Sequence, residues 1–163
     1  MRIVVGTRGS PLALVQTEQV LSVLRQRSPD TQFVVKQVHS QGDIDTELPL
    51  ADMPRGVFAK ELENALERLE IDMAVHSFKD LPTDLDSDFT IAAIGRREDP
   101  RDVLITRLGV CLDDLSSGAR VGTSSPRRMA QLKAHKPDLE VVPIRGNVGT
   151  RISKVRAGVY DGV

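Results

Sequence analysis

Residues 71–83 read Ile71-Asp72-Met73-Ala74-Val75-His76-Ser77-Phe78-Lys79-Asp80-Leu81-Pro82-Thr83. The first five are a short, mostly apolar run, which predicts a buried strand from Ile71 to Val75. The chain then turns polar at once, through His76, Ser77, Lys79 and Asp80. Pro82 disfavours a helical conformation for Leu81 before it and closes the stretch. A buried strand that ends in charge and hydroxyl is where open α/β sheets place their chemistry, at the carboxyl ends of the strands.

Working outward, Ile3–Val5 predicts a first strand and Gly6–Gly9 a turn. Ser10-Pro11 is a helix start, with serine as cap and proline at the first helical position. Leu12, Val15, Val20, Val23 and Leu24 recur at near-helical spacing until Ser28-Pro29-Asp30 stops the run. Phe33–Val38 predicts a strand and Ser40–Arg55 a long polar loop. Phe58, Leu62, Ala65, Leu66 and Leu69 mark an amphipathic helix, and Phe89–Ile94 a further strand. The charged run Arg96–Asp102 reads as a solvated linker and a domain boundary.

Beyond it come a strand at Val103–Thr106 and a turn or short helix at Leu112–Leu115. A helix follows over Pro126–Ala134, then a strand at Leu139–Ile144 and a helix over Val148–Val155. Tyr160–Val163 looks like the start of another strand, so the chain reads as a portion of something longer. Alternating strands and helices predict an α/β fold with a largely parallel sheet.

The 163 residues carry a formal net charge of -1, 3% aromatic residues and no Trp. That leaves neither a global field for nucleic acid nor stacking platforms for bases. The single Cys111 can form no internal disulfide, and its apolar surroundings, Leu108–Leu112, suggest packing. No stretch approaches membrane-spanning length. These features predict a cytoplasmic protein without nucleic-acid or membrane partners. His39, His76 and His135 lack metal-ligand spacing, so no metal is assigned.

Lys79 and Asp80 admit two readings: an ordinary surface ion pair, or a carboxylate that stabilises a cation or exchanges a proton. His76 is either a general base or a hydrogen-bonded structural histidine. The arginines say more. Arg8 precedes the first helix, Arg127 and Arg128 follow Thr123-Ser124-Ser125, and Arg145 and Arg151 flank the start of another helix. Helix amino ends already favour anions, and the guanidinium fork matches carboxylate or phosphate. Three such junctions predict a polyanionic small-molecule ligand. Phosphate-loop motifs are absent, which disfavours a nucleotide. Ser124 and Ser125 lack the elbow and histidine of a serine nucleophile.

Six segments carry a resemblance: GTRGSPLALVQ at 6–16, GVFAKELENAL at 56–66, DMAVHSFKDLPT at 72–83, REDPRDVLI at 97–105, VGTSSPRRMAQL at 121–132 and IRGNVGTRISKVRAGVYDGV at 144–163. In this order they resemble the amino-terminal portion of the porphobilinogen deaminase (hydroxymethylbilane synthase) family. The resemblance implies a transferase of tetrapyrrole and heme biosynthesis. Such an enzyme deaminates porphobilinogen and joins four pyrrole units into a linear tetrapyrrole, a growing polycarboxylate.

By the same matching Asp80 is expected to be the catalytic aspartate, stabilising cationic pyrrole intermediates. Arg8 and Ser10 are expected on the substrate's carboxylates, with Gln16 nearby. Lys79, Thr123, Ser125, Arg127, Arg128, Arg145, Gly146 and Arg151 are expected on the dipyrromethane cofactor and the elongating chain. The family fold implied is a two-domain arrangement like that of periplasmic solute-binding proteins, plus a third domain, in a monomer. Residues 1–97 would be domain 1, bearing the substrate site and Asp80. Residues 98–163 would be an incomplete domain 2, bearing the cofactor arginines, with the third domain absent.

Three positions depart from the family pattern. Cys111 does not match the cysteine that anchors dipyrromethane, which belongs to the third domain, so the chain alone is expected to be inactive. Ala51–Gly56 replaces a lysine- and glycine-rich loop, and Pro126 replaces an apolar residue. The competing reading is a non-catalytic α/β solute-binding module for a polycarboxylate.

Overall fold

The computed structural model describes residues 1–38 and 59–163, so the expected loop Ser40–Arg55, His39 and Phe58 lie outside the described residues. The chain divides into two compact units, Met1–Arg97 and Glu98–Val163.

In the first unit, β1 (Arg2–Arg8) is the middle strand of a three-stranded sheet of order β2-β1-β3, with β2 at Gln32–Val38 and β3 at Met73–Ala74. Both pairings are parallel, and Val5 stands opposite Val35 on one side and Met73 on the other. Val5, Gly6 and Thr7 are buried, as expected for a central parallel strand covered on both faces. Gly6 is required by close approach. A Cβ there would lie 2.3 Å from Ile71 Cδ1 and 2.8 Å from Leu62 Cδ2. Its absence lets Ile71 and helix α2 (Lys60–Glu67) pack on the strand around Leu62, Ala65 and Ile71.

β3 is shorter than the expected Ile71–Val75, for a physical reason at Asp72. The Asp72 amide donates to the Val4 carbonyl at 2.8 Å, while the Val4 amide donates to Asp72 Oδ2 at 2.7 Å. A side-chain carboxylate thus takes one rung of the ladder. The Val75 amide resumes it on the Gly6 carbonyl at 3.0 Å.

Helix α1 (Pro11–Arg27) starts as expected, with the Ser10 hydroxyl accepting from the Ala13 amide and proline in the first turn. Its phase differs from the expected one. Leu12, Val15 and Val23 are exposed, and the buried positions are Thr17 and Leu21. Thr17 can face the sheet because its hydroxyl is satisfied there, 2.7 Å from Thr7 Oγ1 and 2.8 Å from the Ala13 carbonyl. Apolar periodicity alone passes over such a residue. The expected strand Phe89–Ile94 is not formed. This stretch is irregular and largely exposed, and no strand among the described residues lies beside it to complete a ladder.

In the second unit, β4 (Arg120–Gly122) pairs in parallel with β5 (Glu140–Val142). Residues 161–163 extend this sheet beside β4, and residues 105–107 beside them in turn. Gly162 bridges Val121 in parallel and Thr106 antiparallel, and Ile105 and Val163 exchange amide-to-carbonyl bonds of 2.9 Å. The expected strands at 103–106 and 160–163 are therefore paired segments rather than full strands.

Helix α3 (Pro126–His135) and helix α4 (Val148–Arg156) follow β4 and β5. The core is Leu115, Ala119, Val121 and Leu139, with Leu104, Val110, Leu112, Leu132 and Val141 against it. Residues 112–115 form turns, not a helix. Cys111 is exposed, contrary to the packing role expected for it, because Val110 and Leu112 turn inward on either side. Among the described residues no helix is long and apolar enough to cross a membrane, and no group of three or more His, Cys, Asp or Glu could hold a metal ion.

Candidate functional site

In each unit the candidate site residues lie where its parallel strands end. In the first, β1 and β3 run side by side, so Arg8 at the end of β1 and the turn Phe78–Asp80 after β3 emerge at one edge. Arg8 Nη1 lies 3.4 Å from Asp80 Oδ2, and both side chains are largely shielded. Lys79 is exposed beside Asp80.

Ser10 caps α1 by accepting from the Ala13 amide at 3.2 Å, which leaves its own hydroxyl proton available to a ligand. Gln16 points to the same turn, and its Oε1 accepts from the Ser77 hydroxyl at 2.6 Å. Ser77 is a partner that sequence reasoning did not single out. His76 sits beside this group. Burial lowers its pKa from the ordinary value, the Asp80 carboxylate opposes that shift, and Arg8 adds to it. A neutral imidazole held there matches the structural reading of His76 as well as the general-base one.

In the second unit the loops after β4 and β5 are adjacent. Ser124 ties them together, donating to the Ile144 carbonyl at 2.7 Å and accepting from the Ile144 amide at 3.0 Å. The Ser124 hydroxyl is thus structural. Thr123 is buried, and its Oγ1 accepts from the Ser125 amide at 3.2 Å. The Ser125 hydroxyl caps α3 by accepting from the Arg128 amide at 3.4 Å. Pro126 takes the first turn of that helix, so the turn survives this departure.

Gly146 has a φ of +111°, and a Cβ there would lie 2.7 Å from Thr150 Cγ2. This glycine folds the chain back, so that Arg151 Nε donates to the Gly146 carbonyl at 2.8 Å. Asn147 then caps α4, accepting from the Thr150 amide at 2.9 Å.

Arginines of the two loops act on one another electrostatically. Burial lowers the Arg151 guanidinium below its ordinary pKa, and the charges of Arg128 and Arg145 lower it further. Cations held this close favour an anion among them. Arg127 and Arg128 meet a carboxylate already. Arg127 Nη2 lies 2.8 Å from Asp102 Oδ2, and Arg128 Nη2 lies 2.8 Å from Asp102 Oδ1. In the sequence Asp102 belongs to the charged run that reads as a solvated linker and domain boundary. Its only sequence signal is its place in REDPRD, among like and unlike charges.

The donor set suits a carboxylate-rich group such as dipyrromethane. Arg127, Arg128, Arg145 and Arg151 could hold its acid side chains, with Thr123 and Ser125 as neutral hydroxyls beside them.

The chain is similar to known proteins along nearly its whole length. Residues 3–163 match the family model described as "Porphobilinogen deaminase, dipyromethane cofactor binding domain". The chain is 52% identical over 160 residues to "Porphobilinogen deaminase" of Desulforudis audaxviator (strain MP104C), covering 98% of this chain and 52% of the relative. It is 49% identical over 162 residues to the protein of that name from Syntrophus aciditrophicus (strain SB), covering 98% and 52%. For Roseiflexus sp. (strain RS-1) the identity is 49% over 162 residues, covering 99% and 54%. The chain spans about half the length of these curated relatives. On a match that runs through nearly all of its residues, the chain belongs to the porphobilinogen deaminase family.

Proposed function

We propose that this chain is the substrate- and cofactor-binding portion of a transferase that deaminates porphobilinogen and condenses four units into hydroxymethylbilane. The observation that carries the reading is Asp80, held 3.4 Å from Arg8 at the carboxyl end of a parallel sheet. A carboxylate fixed there, partly shielded from water, stabilises positive charge as it develops on a pyrrole. Arg8 and Ser10 bind the substrate's acetate and propionate groups. Gln16 supports them by holding Ser77 and the turn that bears Asp80.

In the second unit Arg127, Arg128, Arg145 and Arg151, with Thr123, Ser125 and the turn at Gly146, bind the acid groups of dipyrromethane and of the growing chain. Lys79 adds a further cation for them. Dipyrromethane, when bound, supplies the end to which substrate units are joined. The cysteine anchor is not matched within these residues, so the chain alone is inactive.

The reading extends to architecture. The units 1–97 and 98–163 would be a first domain and part of a second, in a monomeric, cytoplasmic protein of periplasmic-binding-protein-like organisation that takes neither nucleic acid nor membrane as partner.

The test is ammonia release from porphobilinogen by the complete protein and by its Asp80→Asn variant. A stabilising carboxylate of this kind predicts a loss of about 10²–10³-fold in kcat with the fold retained. A protein that binds the substrate but releases no ammonia would instead be a solute-binding module.

A further inference from the structure

Asp102 stands out as a carboxylate already seated where a ligand's carboxylate would go. Its two oxygens are shared between two guanidiniums. Oδ2 lies 2.8 Å from Arg127 Nη2, and Oδ1 lies 2.8 Å from Arg128 Nη2 and 3.2 Å from Arg127 Nη2. Asp102 reaches these arginines from 25 and 26 residues away, out of the irregular charged segment that opens the second unit. All three side chains keep water contact, at 36% exposure for Asp102, 59% for Arg127 and 45% for Arg128. Exposed pairs of this kind are weak and exchange readily. Gln131 Oε1 accepts from Arg127 Nη1 at 2.9 Å, so Arg127 keeps a partner of its own when Asp102 leaves.

We infer that Asp102 is a resident carboxylate of the arginine cluster, displaced when an acid group of the ligand binds Arg127 and Arg128. Capture of a polycarboxylate is then an exchange of one carboxylate for another. The inference rests on the reading that the Arg127, Arg128, Arg145 and Arg151 cluster takes carboxylates. Its consequence is a set point. Asp102 weakens binding of each acid group, and so lets a chain that grows at this site shift along it instead of locking in place. It also screens Arg127 and Arg128 from unrelated small anions.

The experiment is calorimetric titration of the full chain with propane-1,2,3-tricarboxylate at low ionic strength, where exposed charges are least screened. Two exposed pairs worth about 0.2–1 kcal/mol each predict that Asp102→Asn binds the probe roughly 2- to 30-fold more tightly. Asp102→Glu, which keeps the charge, should return the affinity towards the parent value. Unchanged or weaker binding by Asp102→Asn overturns the inference, because Asp102 would then organise the arginines instead of competing for them. Asp102→Ala, checked for fold by circular dichroism, must follow Asp102→Asn in direction.

Arg151→Gln tests the underlying reading separately, since Arg151 does not touch Asp102. It should weaken the probe at least about 10-fold, the scale of one charge-assisted hydrogen bond. Probe binding that ignores Arg151, or no binding by any of these proteins, overturns the cluster as a carboxylate site. Probe binding that needs Arg151 but ignores Asp102 overturns the exchange alone.

Discussion

Arg8 and Asp80 lie 72 residues apart in sequence and 3.4 Å apart in space, each at the carboxyl end of its own parallel strand segment. Their pairing follows from the register of β1 with β3, which sets Gly6 opposite Ala74 and so brings the two chain ends out together. A pair this close, and largely out of solvent, joins a cation suited to a substrate carboxylate with an anion suited to a developing cation.

The proposed division of labour separates the kinetic effects of the two residues. In the complete protein, Arg8→Gln should raise KM for porphobilinogen by about 10- to 100-fold, the range of a lost charge-assisted hydrogen bond. Asp80→Asn should act mainly on kcat. Steady-state kinetics of both variants check this, and an Arg8→Gln effect confined to kcat would assign Arg8 to Asp80 instead of to the substrate.

Gly6→Ala should destabilise the first unit by about 1–3 kcal/mol, the range for overpacking a buried site. The added methyl meets Ile71 and Leu62 in the core, where neither can move aside freely. Urea denaturation of the chain and the variant measures the difference.

Thr17→Val keeps the shape of the buried side chain and removes its hydroxyl. Thr7 Oγ1 then keeps only its long 3.4 Å contact to the Ala13 carbonyl. The expected loss is about 1–2 kcal/mol, the penalty for a poorly satisfied buried hydroxyl. A neutral result in chemical denaturation would show that the helix-to-strand bond contributes nothing net.

Leu69 follows α2 with a φ of +56° and is 88% exposed, so a bulky side chain sits in the left-handed region without packing in return. Leu69→Asn suits that conformation better and should stabilise the chain by about 0.5–1 kcal/mol, somewhat less than the full left-handed penalty. A rise in the denaturation midpoint is the readout.

His76 makes stability depend on pH. Its pKa in the fold lies below the ordinary value of 6.5, from burial first. The native chain therefore binds fewer protons than the unfolded chain just below pH 6.5. Stability from this group is full above that value and falls as pH drops towards the folded pKa. Urea midpoints between pH 7.5 and 5 should decline less steeply for His76→Asn than for the parent chain. Parallel profiles would mean that His76 titrates alike in both states.

Much of the element order was legible in the sequence because its signals are local. Ser10-Pro11 and Ser125-Pro126 begin helices through capping geometry that needs no tertiary partner, and both helices start there. The apolar runs at β1 and β2 mark parallel strands, β1 buried at its centre and β2 only half-buried. Two of the misreadings share a cause, since each depends on what lies opposite. Thr17 is buried because Thr7 receives its hydroxyl, and Phe89–Ile94 forms no strand because no described neighbour completes its ladder.

By itself, then, the sequence determined the α/β class, the helix starts, and the residue types that point to a polyanionic ligand. Only the tertiary structure decided which of those residues meet. Parallel register joined Arg8 to Asp80, and the positive φ at Gly146 turned its carbonyl onto Arg151 Nε. It also seated Asp102 across Arg127 and Arg128, so that a residue read as linker became the carboxylate of the cluster. Charges act through space over a few ångströms, and spacing along the chain does not encode that distance.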